Sequence, residues 1–457
     1  MTQHDAHPEL LLEEPGHQPA PVAPGTAAPD PAADRAFRRT VVGAVIGSVV
    51  EFYEFSAYGV LATTMAAVFF PIADPTVALL SSLAVFALAF FARPLGGFFW
   101  GPLGDRIGRK RTLALTILLM SGSTLLMGLL PGYAVIGVAA PVLLVVLRFL
   151  QGFSCGGEVS GAVSFIAEQA PAARRGFYVS LIVVGATLGT LLGTVVPAAL
   201  LLTLSPEAMV EWGWRIPFLL ALPLGVVAVY IRRRLDETPY FLELKRRQGR
   251  RRNPIAAALS GRRQWRLLSQ SVLITSLNAA SFFMLVGYLP SFTVRTLGLK
   301  GAMAFMPTVL AIVTMLGAEL VAARLSDRIG RRPVLLASGV WLLVLSWPAF
   351  LLITSGAMGP MVAGLVVMGI GAGAFTAVTN PAIIELFSTS VRVTGHGITY
   401  NLAIAVFGGS APYLLTWLGD ASGSAVVGAF YIMAVALIAI PAVLSIPEMA
   451  GKPLKTG

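Results

Sequence analysis

The chain has 457 residues, of which 56% are hydrophobic and only 12% charged, against about 25% charged in an ordinary soluble domain. With a mean hydropathy of +0.79 it has too little polar surface to fold as a soluble monomer, and its natural solvent is a bilayer. The net charge of +11 would suit a nucleic-acid surface only if the basic residues shared a soluble face, and the lone Cys155 excludes an internal disulfide framework.

Residues 1–36 are rich in Pro and Ala, show no apolar periodicity and carry no signal-peptide pattern, so they read as a disordered cytoplasmic tail. From Val41 onward long apolar runs recur, and about 20 helical residues are needed to cross a hydrocarbon core of about 30 Å. Twelve crossings are predicted, at 41–69, 76–100, 112–130, 138–166, 176–203, 213–231, 268–294, 302–323, 334–355, 358–383, 396–418 and 424–446. Strands are excluded because these runs lack the alternation of a membrane barrel. The expected fold is therefore all-α, with twelve transmembrane helices in two six-helix halves, 37–231 and 267–446. A basic cytoplasmic linker, 232–266, joins them and a cytoplasmic tail, 447–457, follows.

Placement of the basic residues gives an orientation. Arg106, Arg109, Lys110 and Arg111, the run Lys245–Arg252, and Arg324, Arg328, Arg331 and Arg332 fall on one side, while the opposite loops hold only Arg215, Arg295 and Lys300. The positive-inside rule then sets both termini in the cytoplasm of a multi-pass plasma-membrane protein. The excess charge becomes a topology signal, and no nucleic-acid partner is expected.

Two internal echoes support the division into halves. Leu103–Lys110 (LGDRIGRK) recurs as Leu325–Arg332 (LSDRIGRR), and the seven-residue spacing of Glu168 and Arg175 recurs in Glu385 and Arg392. Both echoes fall at cytoplasmic helix ends, where the four Glu and Arg residues read as helix-end charge pairs.

Ionisable side chains inside a membrane helix are costly unless paired, cavity-facing or functional. Here they are Glu51 and Glu54 in the first helix, Arg93 in the second, Arg148 and Glu158 in the fourth, and Glu319 near the end of the eighth. At 1.5 Å per residue, Glu51 and Arg148 fall about 15 Å from their helix starts, near the midplane. Glu51 and Glu54 share a helix face. We expect Glu54 to face Arg148, and Glu51 or Glu158 to face Arg93. Two readings stay open: Arg148 binds a substrate carboxylate while Glu54, Glu51, Glu158 and Arg93 serve proton coupling, or these charges form static ties between helices. Tyr53, Tyr58, Asn278, Tyr288 and Asn401 join Arg148 as candidate substrate-binding residues, and Thr379, Asn380 and Tyr400 are further polar positions in apolar helices. His396 reads as a solvated interfacial histidine, with a proton relay as the alternative. No metal-ligand spacing appears, and no cofactor is expected.

The loop GPLGDRIGRKR (101–111) and its copy RLSDRIGRRP (324–333) resemble the cytoplasmic signature of the major facilitator superfamily. The segments GSVVEFYEFSAYG (47–59), RPLGG (93–97), RFLQGFSCGGE (148–158), EWGWRIPF (211–218) and LDETP (235–239) resemble its metabolite:proton symporters, carriers of citrate, 2-oxoglutarate, shikimate, dicarboxylates, proline or betaine. Phe52 stands where that family usually has Trp, and Glu54 where it has Asp. The resemblance implies a carrier, not an enzyme, working as a monomer among membrane lipids. It would import a small carboxylate or zwitterion with protons by alternating access, driven by the proton gradient. A proton-coupled exporter of drugs or metabolites is the alternative. The resemblance also implies that Gly101, Asp105, Arg106, Gly108 and Arg109, with Asp327, Arg328, Gly330 and Arg331, gate the cytoplasmic side. The chain runs about ten residues past Pro447, so osmotic activation through a long coiled-coil tail is not expected.

Overall fold

The computed structural model describes residues 31–107, 109–233, 258–300 and 302–455, and among these the chain is helical with no strand. The first half comprises α1 (Pro31–Val60, resumed after Leu61 as Ala62–Phe69), α2 (Pro75–Ile107), α3 (Arg109–Leu129), α4 (Ala139–Gln169), α5 (Arg175–Thr203) and α6 (Pro206–Tyr230). The second comprises α7 (Gly261–Arg295), α8 (Ala302–Ile329), α9 (Arg331–Ile353), α10 (Met358–Leu386), α11 (Arg392–Ser422) and α12 (Val427–Ser445). Among the described residues eleven spans are long and apolar enough to cross a membrane unaided; α3 follows its basic start with a shorter apolar run, Ala114–Leu129.

Helix ends depart from the expectation at several places. Helix α1 reaches back to Pro31, so residues 31–36 are helix rather than tail, and residues 1–30 lie outside the described residues. Proline suits a first helical turn because its missing N–H has no intrahelical partner there anyway. The linker also shrinks. The last turn of α6 continues to Arg233 and α7 already begins at Gly261, while 234–257 lie outside the described residues. Charged turns read as linker by hydropathy alone, yet a helix whose interior is buried extends into water at no loss of backbone hydrogen bonds. For the same reason the repeated signature is not a loop in the second half. Helix α8 runs through Leu325–Ile329, and only Gly330, at φ 109°, separates it from α9. A reversal this tight needs a residue without Cβ.

Five of the described helices are interrupted: α1 at Leu61, α6 by a wide π-type turn at Met209–Gly213, and α4, α7 and α11. A tight turn at Cys155–Gly157 breaks α4, and wide π-type turns at Met284–Tyr288 in α7 and Ile404–Gly409 in α11 precede Pro290 and Pro412. Proline leaves one carbonyl of the preceding turn without its donor, and the wider turn absorbs the mismatch where protein surrounds the backbone. Small residues set the closest approaches: a Cβ on Gly189 of α5 would stand 2.2 Å from the Val49 carbonyl oxygen of α1, and one on Gly156 of α4 2.1 Å from that of Arg93 on α2. The second contact draws together the helices that carry Arg93 and Arg148. Between the halves, α5 packs on α8 and α2 on α11, enclosing a central cavity. The end of the bundle with Arg175, Arg331 and Arg392 is its basic face.

Candidate functional site

Four charged side chains of the first half are buried inside the helices, each at most 1% exposed: Glu51, Glu54, Arg93 and Arg148. Arg93 donates from Nη2 to Glu51 Oε1 at 2.7 Å, tying α2 to α1. The guanidinium lies over Phe55 at 4.7 Å and Phe90 at 5.1 Å, which offsets part of its desolvation. Glu54 and Arg148, expected to face each other, do not pair directly. Gln151 stands between them: Arg148 Nη1 donates to its Oε1 at 2.5 Å, and its Nε2 donates to Glu54 Oε2 at 3.3 Å and to Thr124 Oγ1 at 2.7 Å. Glu54 also accepts from Ser121 Oγ at 2.7 Å and from Thr124 Oγ1. The carboxylate is thus held by three neutral donors.

Arg148 is held from its faces. Its guanidinium sits 4.0 Å over the Tyr58 ring and 5.4 Å from both Phe55 and Phe86, while among the described residues its Nε and Nη2 find no hydrogen-bond partner. Unused donors on a buried cation are expensive, and they suit a planar acceptor such as a carboxylate.

Between the halves lies a narrow cavity of about 30 Å³ lined by Ser48, Phe52, Asn278, Thr376, Asn380 and Tyr400, among others. A second, of about 10 Å³, shares Phe52, Phe282 and Phe283 with it and reaches Phe55 and Phe86. Those last two rings also flank Arg148, which therefore stands one ring layer behind the cavity wall.

The remaining candidates divide. Asn278 lines the cavity, and Tyr58 supports Arg148 while donating to the Ser82 carbonyl at 3.2 Å. Tyr53 instead donates to the Pro217 carbonyl on α6 at 2.9 Å, and Asn401 to the Gly156 carbonyl on α4 at 2.7 Å. Tyr288 packs against Phe292 and is absent from the walls of both cavities. Their polar groups serve helix packing, which the sequence pattern cannot separate from lining a cavity. Glu158 is 6% exposed at the start of the second segment of α4. His396, expected at a wet interface, is 1% exposed; its Nδ1 meets Ser160 Oγ at 3.0 Å and its Nε2 meets Asn380 Oδ1 at 3.3 Å. The first turn of α11 is covered by α4 and α10, which excludes water from it.

At the basic face the charges pair both across the halves and within the second. Glu385 of α10 accepts from Arg175 of α5 at 3.4 Å and from Arg331 of α9 at 3.2 Å, and Arg392 of α11 donates to Glu168 of α4 at 2.7 Å. Asp327 binds Arg331 at 2.7 Å and caps α5 by accepting from the Gly176 and Phe177 N–H groups, each at 2.9 Å. Arg328 is exposed. In the first-half copy, Gly101, Asp105, Arg106 and Arg109 lie in helix and Gly108 falls outside the described residues. The C-terminal segment crosses this network. Glu448 accepts from the Arg331 and Arg332 N–H groups at 2.9 Å each, the Lys452 carbonyl accepts from Arg175 at 3.0 Å, and the Lys455 carbonyl from Arg392 at 3.1 Å.

A family model described as "Sugar (and other) transporter" matches residues 40–262 and again residues 247–456, once over each half. The chain belongs to the sugar (and other) transporter family. It is 37% identical over 430 residues to the proline/betaine transporter of Escherichia coli K12, covering 92% of this chain and 86% of that one. Against the ectoine/proline transporter of Corynebacterium glutamicum it is 37% identical over 431 residues, covering 91% and 85%. A solved major facilitator proton:xylose symporter with a bound bromodeoxyglucose superposes with a TM-score of 0.76 at 16% identity, over 92% of this chain and 98% of that one. The protein is a multi-pass membrane transporter with the major facilitator fold, and not an enzyme.

Within this transporter, sequence reasoning overlooked Gln151, Ser121, Thr124 and Thr376. Gln151 lies three residues after Arg148, on the same helix face, and Ser121 and Thr124 share that spacing in α3. Helical spacing was thus the available signal for the first three.

Proposed function

We propose that this transporter imports a small carboxylate, and best of all an amino-acid-like zwitterion, together with a proton by alternating access. The basic face and both termini are cytoplasmic on this reading, and the proton gradient drives uptake by a monomer without a cofactor. The observation that carries it is the Arg148–Gln151–Glu54 relay: a buried cation with unused donors, one amide away from a buried carboxylate. A substrate carboxylate drawn to Arg148 brings a second negative charge to a site that balances one cation against one anion, and a proton on Glu54 restores the balance. Substrate and proton then cross together because either alone leaves an uncompensated charge in a dry site. The aromatic wall of Phe52, Phe282 and Phe283 suits the ammonium end of a zwitterion. The names of the relatives, which couple proline with betaine or ectoine, support the same substrate class.

Proteoliposomes holding the protein should accumulate labelled proline or betaine when the outside is acidic and release it on adding an uncoupler. Accumulation indifferent to the proton gradient would overturn symport. Failure to exchange any zwitterion or organic acid would favour the exporter.

A further inference from the structure

The central cavity has two distinct polar walls. On the second-half side, Asn278 of α7 and Thr376 of α10 are 6% and 3% exposed and both line the cavity, yet among the described residues Asn278 Oδ1 and Thr376 Oγ1 have no hydrogen-bond partner. Native proteins rarely leave buried acceptors unmet, and two on one cavity wall mark a place where a ligand supplies the donor. Asn380, one turn beyond Thr376 on α10, is different. Its Oδ1 faces His396 Nε2 at 3.3 Å, and because that oxygen can only accept, the ring carries its hydrogen on Nε2 and takes the Ser160 hydroxyl proton at Nδ1, 3.0 Å away. Asn380 therefore offers the cavity its NH2 donors, and the unpartnered acceptors on this wall are those of Asn278 and Thr376.

We infer that Asn278 Oδ1 and Thr376 Oγ1 form a subsite for an ammonium group that still bears hydrogen, so that these two residues separate primary and secondary ammonium zwitterions from quaternary ones. The inference rests on the reading that the cavity takes a zwitterion. A quaternary ammonium finds the rings of Phe52, Phe282 and Phe283 on the same cavity and binds through its charge alone. A secondary ammonium such as that of proline adds N–H donors that meet the two orphan oxygens. Hydrogen bonds to a charged group carry enough weight to change affinity about tenfold or more.

The test is competition uptake of proline against glycine betaine in the full-length protein. Asn278→Leu should raise the ratio of the proline KM to the betaine KM about tenfold or more, with Thr376→Val shifting the same ratio in the same direction by less. Betaine transport in each variant reports folding, and heat-stability shifts with proline in detergent give the same comparison without turnover. Equal loss for both substrates, or no change in the ratio, overturns the subsite while leaving the transport reading intact. Wild-type protein that neither binds nor carries proline would sink the transport reading and the subsite with it.

Discussion

The two halves share a fold and divide the chemistry. In the first, α1, α2 and α4 bring Glu51, Glu54, Arg93 and Arg148 together in the buried interior, whereas the matching wall of the second half presents Asn278, Thr376, Asn380 and Tyr400. Among the described residues the buried carboxylate Glu319 of α8 meets only a hydroxyl, that of Thr187 at 2.6 Å, and that hydroxyl belongs to the first half. Duplication of a scaffold therefore does not duplicate its site: one half carries charge that must be balanced, the other neutral groups that can discriminate at little desolvation cost.

The sharpest break of this comparison is Arg148→Ala. Proton-driven uptake should fall about 100-fold or more, while Glu54→Gln should keep substrate counterflow and lose accumulation against a gradient. If both variants accumulate substrate normally, the charge in the first half is only a tie between helices.

A second prediction concerns the basic face, where the halves are chemically alike. Glu385→Ala leaves Arg175 and Arg331 without their shared acceptor, and removing one partner of a buried ion pair costs about 3–5 kcal/mol. Cysteines introduced near Ala377 should become labelled by a basic-face reagent much faster than in the parent; unchanged labelling would show that the network does not hold that face shut.

Gln151→Leu should have a smaller effect, about tenfold in uptake, because Ser121 and Thr124 still serve Glu54. A loss as large as that of Arg148→Ala would mean the amide is no mere relay.

The smallest effect is expected at Glu448. Partial burial pushes its carboxyl up, but backbone N–H groups of Ala450, Arg331, Arg332 and Met449 outweigh this and hold it below the usual value of 4.5. A depressed value means the contact contributes fully above about pH 4.5 and is lost as the pH falls through the lower folded value. Glu448→Gln should therefore loosen the tail at neutral pH, read as faster proteolysis after Met449, and differ little from the parent in strong acid. A variant difference that persists in acid would sink this assignment.

Much of this was legible in the chain itself. Eleven of the twelve spans follow from hydropathy among the described residues because a bilayer imposes one length on every crossing, and rare charges in apolar helices pick out the half that holds the buried charge network. Partners were less legible. Which carboxylate meets which arginine depends on how four helices rotate against each other: Arg93 meets Glu51, Glu54 reaches Arg148 only through Gln151, and Glu168 chooses Arg392 over Arg175. Those choices are made by close approaches such as that of Gly156 to Arg93, whose geometry no spacing rule contains. His396 was misjudged for the same reason, since burial of a helix start depends on what folds over it.

The C-terminal segment reaches Arg175 and Arg392 through the main-chain carbonyls of Lys452 and Lys455. A carbonyl is the same whatever side chain it follows, so these two contacts depend less on which side chain stands at 452 or 455 than on the length of chain between Glu448 and Lys455. Across related chains, this stretch should keep its length, and within it Gly451, at φ 69°, should keep its letter as Gly330 does at φ 109°.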